Sequence, residues 1–358
     1  MQRLLPILTL LTLSACAGLP SSGPRAATES EPTWTLASRD EALGTRTFVL
    51  DWADEPIAFL DTLDIYLGGF SGLDVMEDGS LILLTDRGPN VDASAAAGGP
   101  AKLFVDPLYT PRLVSVAFQG DDGLDERGSG TLRTPDDRDA SGLPPAPDAR
   151  IETEAALGPT LSALPSDPWG IDAEGIAVVG PDLWIADEYR PSLWRVSRED
   201  RNVRERFTPT PSHPIDRALP DLLGGRVPNR GFEGVATATG EPLTGPNDGW
   251  SAHVYAVDVT NAISLESDQL PERFLSAWGA ERAGVPFLNK THLLDLREFG
   301  WPNEQRKPEG LAVLSRNRLA VLSDNDYGLD APAMDGVAIA TGLPTLLMVF
   351  DRVDLGVR

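Results

Sequence analysis

Short apolar runs rich in Val, Leu, Ile and Trp alternate along this chain with turns of Gly, Pro, Asp and Asn. Short runs bounded by turn residues are the mark of β-strands, and long helical periodicity is scarce. The pattern predicts an all-β chain, with strands at residues 47–51, 73–76, 81–85, 113–118, 176–179, 183–186, 193–196, 254–259, 311–314, 319–323 and 346–351. A short helix is expected at 291–299. Glu77-Asp78-Gly79-Ser80, Gly180-Pro181-Asp182 and Ser315-Arg316-Asn317-Arg318 are spaced to turn hairpins between neighbouring runs.

One unit recurs. Ser71-Gly72-Leu73, Glu174-Gly175-Ile176, Glu233-Gly234-Val235 and Glu309-Gly310-Leu311 each open an apolar run. Three of them pass through a turn into a second run that ends in an acid, at Asp86, Asp187 and Asp324. Reuse of a small β unit predicts a β-propeller, whose four-stranded sheets stand around an axis. The repeat glycines are 103, 59 and 76 residues apart. A blade takes about 40–50 residues, so the spacing predicts one hidden blade and several insertions: six blades, with five as the alternative. The last run, 346–351, is expected to pair with the first, 47–51, and close the ring, which removes the open sheet edge. Residues 120–150, poor in apolar positions, and the proline-rich 209–228 read as loop insertions.

Composition sharpens this picture. With 358 residues, 41% of them hydrophobic, the chain can bury a sizeable core in one domain. A formal net charge of -24 repels nucleic acid and anionic lipid. It suits either a soluble surface or a protein that holds cations. The single cysteine, Cys16, rules out an internal disulfide. Met1-Gln2-Arg3 gives a positive start, and the apolar stretch up to Leu13 is too short to span a bilayer. Leu13-Ser14-Ala15-Cys16 resembles the lipobox of bacterial lipoproteins. Residues 1–15 are therefore expected to be a signal peptide, 16–33 a lipidated Cys16 with a flexible tether, and 34–358 the folded domain. The expected location is the bacterial envelope, on the periplasmic side of the outer membrane. The expected state is a monomer that touches the membrane only through its lipid and takes a small anionic ligand.

The chemistry follows from hairpin geometry. The start of a first strand lies beside the end of the second, so Glu174 should approach Asp187, Glu309 should approach Asp324, and Ser71 should approach Asp86. Converging blades would gather Glu174, Asp187, Glu188, Glu233, Glu309, Asp324 and Asp326 into a ring of carboxylates. Crowded acids bind a cation, pair with bases or take up protons. Oxygen ligands without thiols favour calcium, and Asn325 and Asn229 could add carbonyl oxygens. Each acid taken singly could equally cap a turn. A base accompanies every repeat: Arg87, Arg190, Arg230 and Lys307. They could hold an anion beside the metal or pair with the adjacent acids. Glu188 and Asp326 are the general-base candidates by position.

Other chemistries lack their residues. Gly69-Phe70-Ser71-Gly72-Leu73 is not the Gly-x-Ser-x-Gly elbow of a serine hydrolase. His213, His253 and His292 are far apart in sequence and form no zinc-protease motif. Trp169, Trp184 and Trp194 read as packing residues.

Taken together and in order, the stretches from Gly68-Gly69-Phe70-Ser71-Gly72-Leu73 to Asp86-Arg87, Asp172-Ala173-Glu174-Gly175-Ile176 to Asp187-Glu188, Asn229-Arg230-Gly231-Phe232-Glu233-Gly234, Lys290-Thr291-His292-Leu293-Leu294-Asp295-Leu296, and Lys307-Pro308-Glu309-Gly310-Leu311 to Asp324-Asn325-Asp326-Tyr327-Gly328 resemble the phytase-like domain family, also described as esterase-like activity of phytase. The resemblance implies a β-propeller of secreted or envelope-attached bacterial proteins, and hydrolysis of phosphoesters or esters. It is similar in style to the β-propeller phytases, whose axial acids hold calcium ions that bind phosphate and activate water. Glu174, Glu233, Glu309 and Asp324 carry over as the implied metal ligands; phosphate-binding lysines of that kind are not found. Three functions then compete: a calcium-dependent phosphoester hydrolase, a non-catalytic binding propeller with a structural metal, and a carboxylester or lactone hydrolase using the same metal. Fold alone does not choose among them.

Overall fold

The structure, a computed structural model, describes residues 33–51, 57–60, 63–146, 154–219, 223–224, 231–232, 234–236, 252–257, 290–331 and 337–355, with the backbone of 8–10 and 243–244. Cys16, Asn229, Arg230 and Glu233 lie outside the described residues, as do the expected signal peptide (save the backbone of 8–10) and most of the tether. Among the described residues no helix is long and apolar enough to cross a membrane.

Strands carry the architecture. The chain enters through β1 (Thr33–Asp40) and β2 (Thr45–Asp51), an antiparallel hairpin. A first blade follows, built from β3 (Phe70–Val75), β4 (Leu81–Thr85), β5 (Arg112–Gln119) and β6 (Gly123–Thr131), each antiparallel to the next. The second blade is β7 (Ala173–Val179), β8 (Asp182–Asp187), β9 (Ser192–Ser197) and β10 (Val203–Thr208). Asp216–Ala218 adds a parallel edge to it. A third unit contains β11 (Gly234–Ala236) and a sheet of Leu243–Thr244, β12 (His253–Val257) and β13 (Lys290–Asp295). The closing blade is β14 (Lys307–Ser315), β15 (Arg318–Asp324) and β16 (Leu346–Asp351), to which β2 adds residues Thr45–Val49, with Leu346 opposite Val49 and Phe350 opposite Thr45. The expected closure by the first and last strands is therefore observed.

The blades pack face to face around an axis. Ile82, Leu84 and Leu113 of the first blade share one core with Ile176, Ile185 and Trp194 of the second. Ala186 and Leu193 of the second blade pack with Phe232 and Val235 of the third unit. Val254 and Leu294 of the third unit pack with Leu319, Val321, Met348 and Phe350 of the closing blade. Phe48, Leu322 and Leu347 of the closing blade return to Phe70, Leu81 and Leu83 of the first. Each such side chain leaving water contributes about 1.5–3 kcal/mol. Trp169 and Trp194 are buried in an edge-to-face pair, and Trp184 stacks on Phe207, so the tryptophans are packing residues as expected. This is a β-propeller, with four mutually adjacent units among the described residues; 258–289 lie outside them.

The repeated phrase makes the innermost strands fit. A Cβ on Gly175 would stand 2.7 Å from Gly234 Cα and 2.8 Å from Val235 N; one on Gly310 would stand 2.8 Å from Leu73 Cβ. Gly310, Gly72 and Gly175 thus each lie against the next copy of the phrase, Gly72 with a Cβ that would stand 3.0 Å from Ile176, and a side chain there would crowd the strands. The same contact places copies 309, 71, 174 and 233 consecutively around the axis. The 103-residue spacing consequently hides no blade. It is consumed by β5, β6 and a small sheet of Asn90–Asp92, Ala101–Phe104 and Ala155–Leu157.

Two other expectations change. Much of 120–150 is not loop: β6 pairs along β5, and its polar sequence reflects an outer strand with little apolar surface to bury. Residues 291–299 are not one helix: Lys290–Asp295 is strand and only Leu296–Phe299 forms a 3-10 turn, with the Asp295 side chain accepting from Arg297 N. Pairing with β12 outweighs helix propensity there.

Candidate metal centre

Three bulges aim the site. In β7 the register steps from Ala173–Asp187 to Gly175–Ala186, leaving Glu174 unpaired. Glu309 in β14 and Ser71 in β3 are left out of their ladders in the same way. A bulge turns a side chain out of the pleat. Here it turns the first residue of each phrase at the same end of its blade, beside the acid that ends the partner strand. The ladders end beside the expected pairs: Lys307 pairs with Asp324 in register, Ala173 with Asp187, and Asp86 N donates to Gly69 O at 2.7 Å, with Lys307, Ala173 and Gly69 close in sequence to Glu309, Glu174 and Ser71.

Asp86, Asp172 and Glu174 each place one carboxylate oxygen within 4.8 Å of the others. Asp172 is fully buried, and neither of its oxygens accepts a well-directed hydrogen bond, although Arg87 Nη1 lies 2.8 Å from Oδ2. Burial pushes the Glu174 carboxyl well above its usual range, and Asp172, Glu309, Glu188 and Asp86 push it further. Asp86 is pushed well up by burial, then by Asp324 and Asp172; the Gly88 amide, donating to Oδ1 at 2.7 Å, and Arg87 oppose this. Acids from three blades therefore feel one another at one place.

Such a centre needs positive charge or protons. Two oxygens bound to one calcium at about 2.3–2.6 Å can be no more than about 5 Å apart, which the Asp86, Asp172 and Glu174 oxygens satisfy. The donors are all oxygen, which suits a hard cation. Asp172 was absent from the sequence-derived candidates. It lies just before β7, and because Glu174 is bulged the strand alternation does not relate the two, so spacing gave no signal for it.

The remaining predicted residues divide by what they touch. Asp187 uses Oδ1 on the amides of Asp172 (3.2 Å) and Tyr189 (3.1 Å) and Oδ2 on the Ser192 hydroxyl (2.7 Å). It fastens the turn that carries Glu188, and burial pushes its carboxyl up to about 7. Glu188 is buried, its amide on Asp172 O at 2.9 Å. Asp324 accepts Lys307 Nζ at 2.6 Å, and Asp326 accepts the same ammonium at 2.7 Å. Burial and then Asp324 raise the Asp326 carboxyl, while Lys307 and Lys102 lower it. Arg87, 4% exposed, is clasped by Glu154 (2.7 Å) and Asp172 and lies over the Tyr189 ring. Arg190 donates to Ala146 O. Asn325 accepts Gly69 N at 3.1 Å and donates to Leu343 O at 2.9 Å, so it locks a loop. Glu154 and Lys102 were not anticipated; no repeat marks them.

Among solved structures, the PQQ-bound aldose sugar dehydrogenase of Streptomyces coelicolor is 10% identical over 96% of this chain and 97% of its own, with a TM-score of 0.27. Glutaminyl cyclase of Myxococcus xanthus is 9% identical over 59% of this chain and 76% of its own, with a TM-score of 0.16. Likenesses at this level carry no argument. No curated protein matches the chain. The family described as Phytase-like, esterase-like activity of phytase, matches residues 65–245. That segment contains Asp86, Asp172 and Glu174 and is slightly more than half of the 358 residues; this chain belongs to the Phytase-like family.

Proposed function

We propose that this protein is an envelope-anchored, calcium-dependent hydrolase of phosphoester substrates. The observation that carries the reading is the convergence of Asp86, Asp172 and Glu174, with Asp172 fully buried and its Oδ2 paired with Arg87 Nη1 at 2.8 Å. These residues would hold the ion, with Glu309, Glu188 and Asp324 adding to the negative field around it. A bound calcium would polarise a phosphoryl oxygen and acidify a water. Glu188 would take the water's proton on its carboxylate. Lys307 would keep Asp324 and Asp326 oriented, and Arg87 would keep Asp172 in place from behind. The lipid on Cys16 would tether the domain on the periplasmic side.

A second reading rests on the bases. Arg87 and Lys307 are bound by acids, which favours a binding propeller with a structural ion. The experiment is hydrolysis of an aryl phosphate, an aryl acetate and a lactone, each with calcium and with chelator. Phosphatase activity lost on chelation and in Glu174→Gln supports the proposal. Calcium-dependent melting without turnover of any ester supports the second reading. Turnover of the acetate or lactone alone moves the activity to carboxylic esters.

A further inference from the structure

Two of the chain's three histidines meet on the third unit, in a cluster that shares no residue with the axial acids. The β12–β13 register sets His253 opposite Asp295 and Tyr255 opposite His292, with a bulge between the pairs. His253 Nε2 lies 3.2 Å from Asp295 Oδ2, and its Nδ1 lies 3.1 Å from the Tyr255 hydroxyl. The ring centroids of His253 and His292 are 4.8 Å apart. His292 is exposed, and the side chains of His253 and Asp295 are 30% and 25% exposed, so solutes reach the group.

We propose that His253, His292 and Asp295 form a second metal site, for a borderline divalent ion such as zinc, with Tyr255 orienting His253. Zinc takes imidazole nitrogen and carboxylate oxygen at about 2.0–2.2 Å in tetrahedral geometry. Two such ligands stand roughly 3.3–3.5 Å apart, close to the separation of His253 Nε2 and Asp295 Oδ2. A ligating imidazole characteristically engages an outer partner through its other nitrogen, which sets its orientation; the Tyr255 hydroxyl occupies that position. His292, exposed and with its ring centroid 4.8 Å from that of His253, does not stand at ligand distance and would have to change rotamer to supply the third ligand. Water would complete the shell. Ligand softness separates the two centres: imidazole nitrogen draws zinc, and the axial oxygens draw calcium. The net charge of -24 concentrates either cation at the surface. This site is independent of any hydrolytic activity at the axis.

The test is a zinc titration of the full-length protein saturated with calcium, followed by calorimetry and by metal analysis after gel filtration. Uptake of about one zinc per chain, at least tenfold weaker in His292→Ala and in His253→Gln but unchanged in Asp172→Asn, is the expected result. His292→Ala removes an exposed side chain and carries the test if the His253 variant misfolds. No uptake, uptake indifferent to both histidines, or uptake lost in Asp172→Asn would each overturn the proposal.

Discussion

Asp172 holds the centre at the scale of single residues. Replacing it with Asn keeps its shape and removes a metal-binding charge, so calcium affinity should fall on the order of 100-fold or more, read by calorimetry; unchanged affinity would move the ion elsewhere. The acids also set a pH dependence. Burial raises Asp187 to about 7, and Asp86 and Glu174 move the same way. Unfolded, these carboxyls titrate near 4, so between about 4 and 7 the folded chain holds the extra protons and stability falls as pH rises. Metal-free protein should therefore melt lower at pH 8 than at pH 5, and calcium should remove most of the gap. A melting temperature in EDTA that rises over this range would contradict the assignment. At this scale the sequence was only partly legible. The acid at the end of a strand could be read from hairpin geometry, as at Asp86 and Asp324. Which oxygens remained open depended on backbone amides and on a serine five residues along, as at Asp187, and these have no signature in spacing.

The unit of construction is the phrase with its glycine, and its effect is on strands. In β7 and β14 the glycine does not serve a turn. It permits contact with the neighbouring strand that no Cβ allows, and the bulged residue before it reaches the axis. Gly175→Ala should cost about 1–3 kcal/mol in denaturant unfolding, because the atoms it would strike belong to backbone. Gly79→Ala sits in open space in a turn at φ +84; its cost should be one of backbone strain, and calcium binding should be unaffected. Equal loss of calcium affinity in both variants would refute the distinction. Strands were the legible elements: residues 81–85 and 346–351 match Leu81–Thr85 and Leu346–Asp351. Inner strands start earlier than their apolar runs, as in Ala173–Val179, because the glycine and the residue before the bulged acid belong to the ladder. Outer strands such as Gly123–Thr131 carry almost no apolar signal.

For the whole molecule, the ring depends on pairing between its two ends. Removing residues 346–358 deletes the strand between β15 and β2 and exposes Phe48 and Leu322. Cooperative unfolding should be lost, observed as a broad transition in heat or denaturant. A sharp transition would show that the other units close without it. Saturating calcium at about 100-fold over its dissociation constant should stabilise the intact chain by about 2.7 kcal/mol. Closure was legible because both terminal runs are apolar and of similar length. Spacing alone does not give the unit number, because insertions and blades consume residues alike.

The pairing of β2 with β16 also imposes an order of events. β2 pairs with β1 as soon as both are made, but it meets its other neighbour only after nearly the entire polypeptide has been synthesised. Glu309 and Asp324 arrive with that late portion, so their charge joins Asp86, Asp172 and Glu174 only once the chain is nearly whole. Until then the unfilled edge of β2 stays open to any other strand that can pair with it, so the incomplete polypeptide carries an adhesive edge that the finished ring hides.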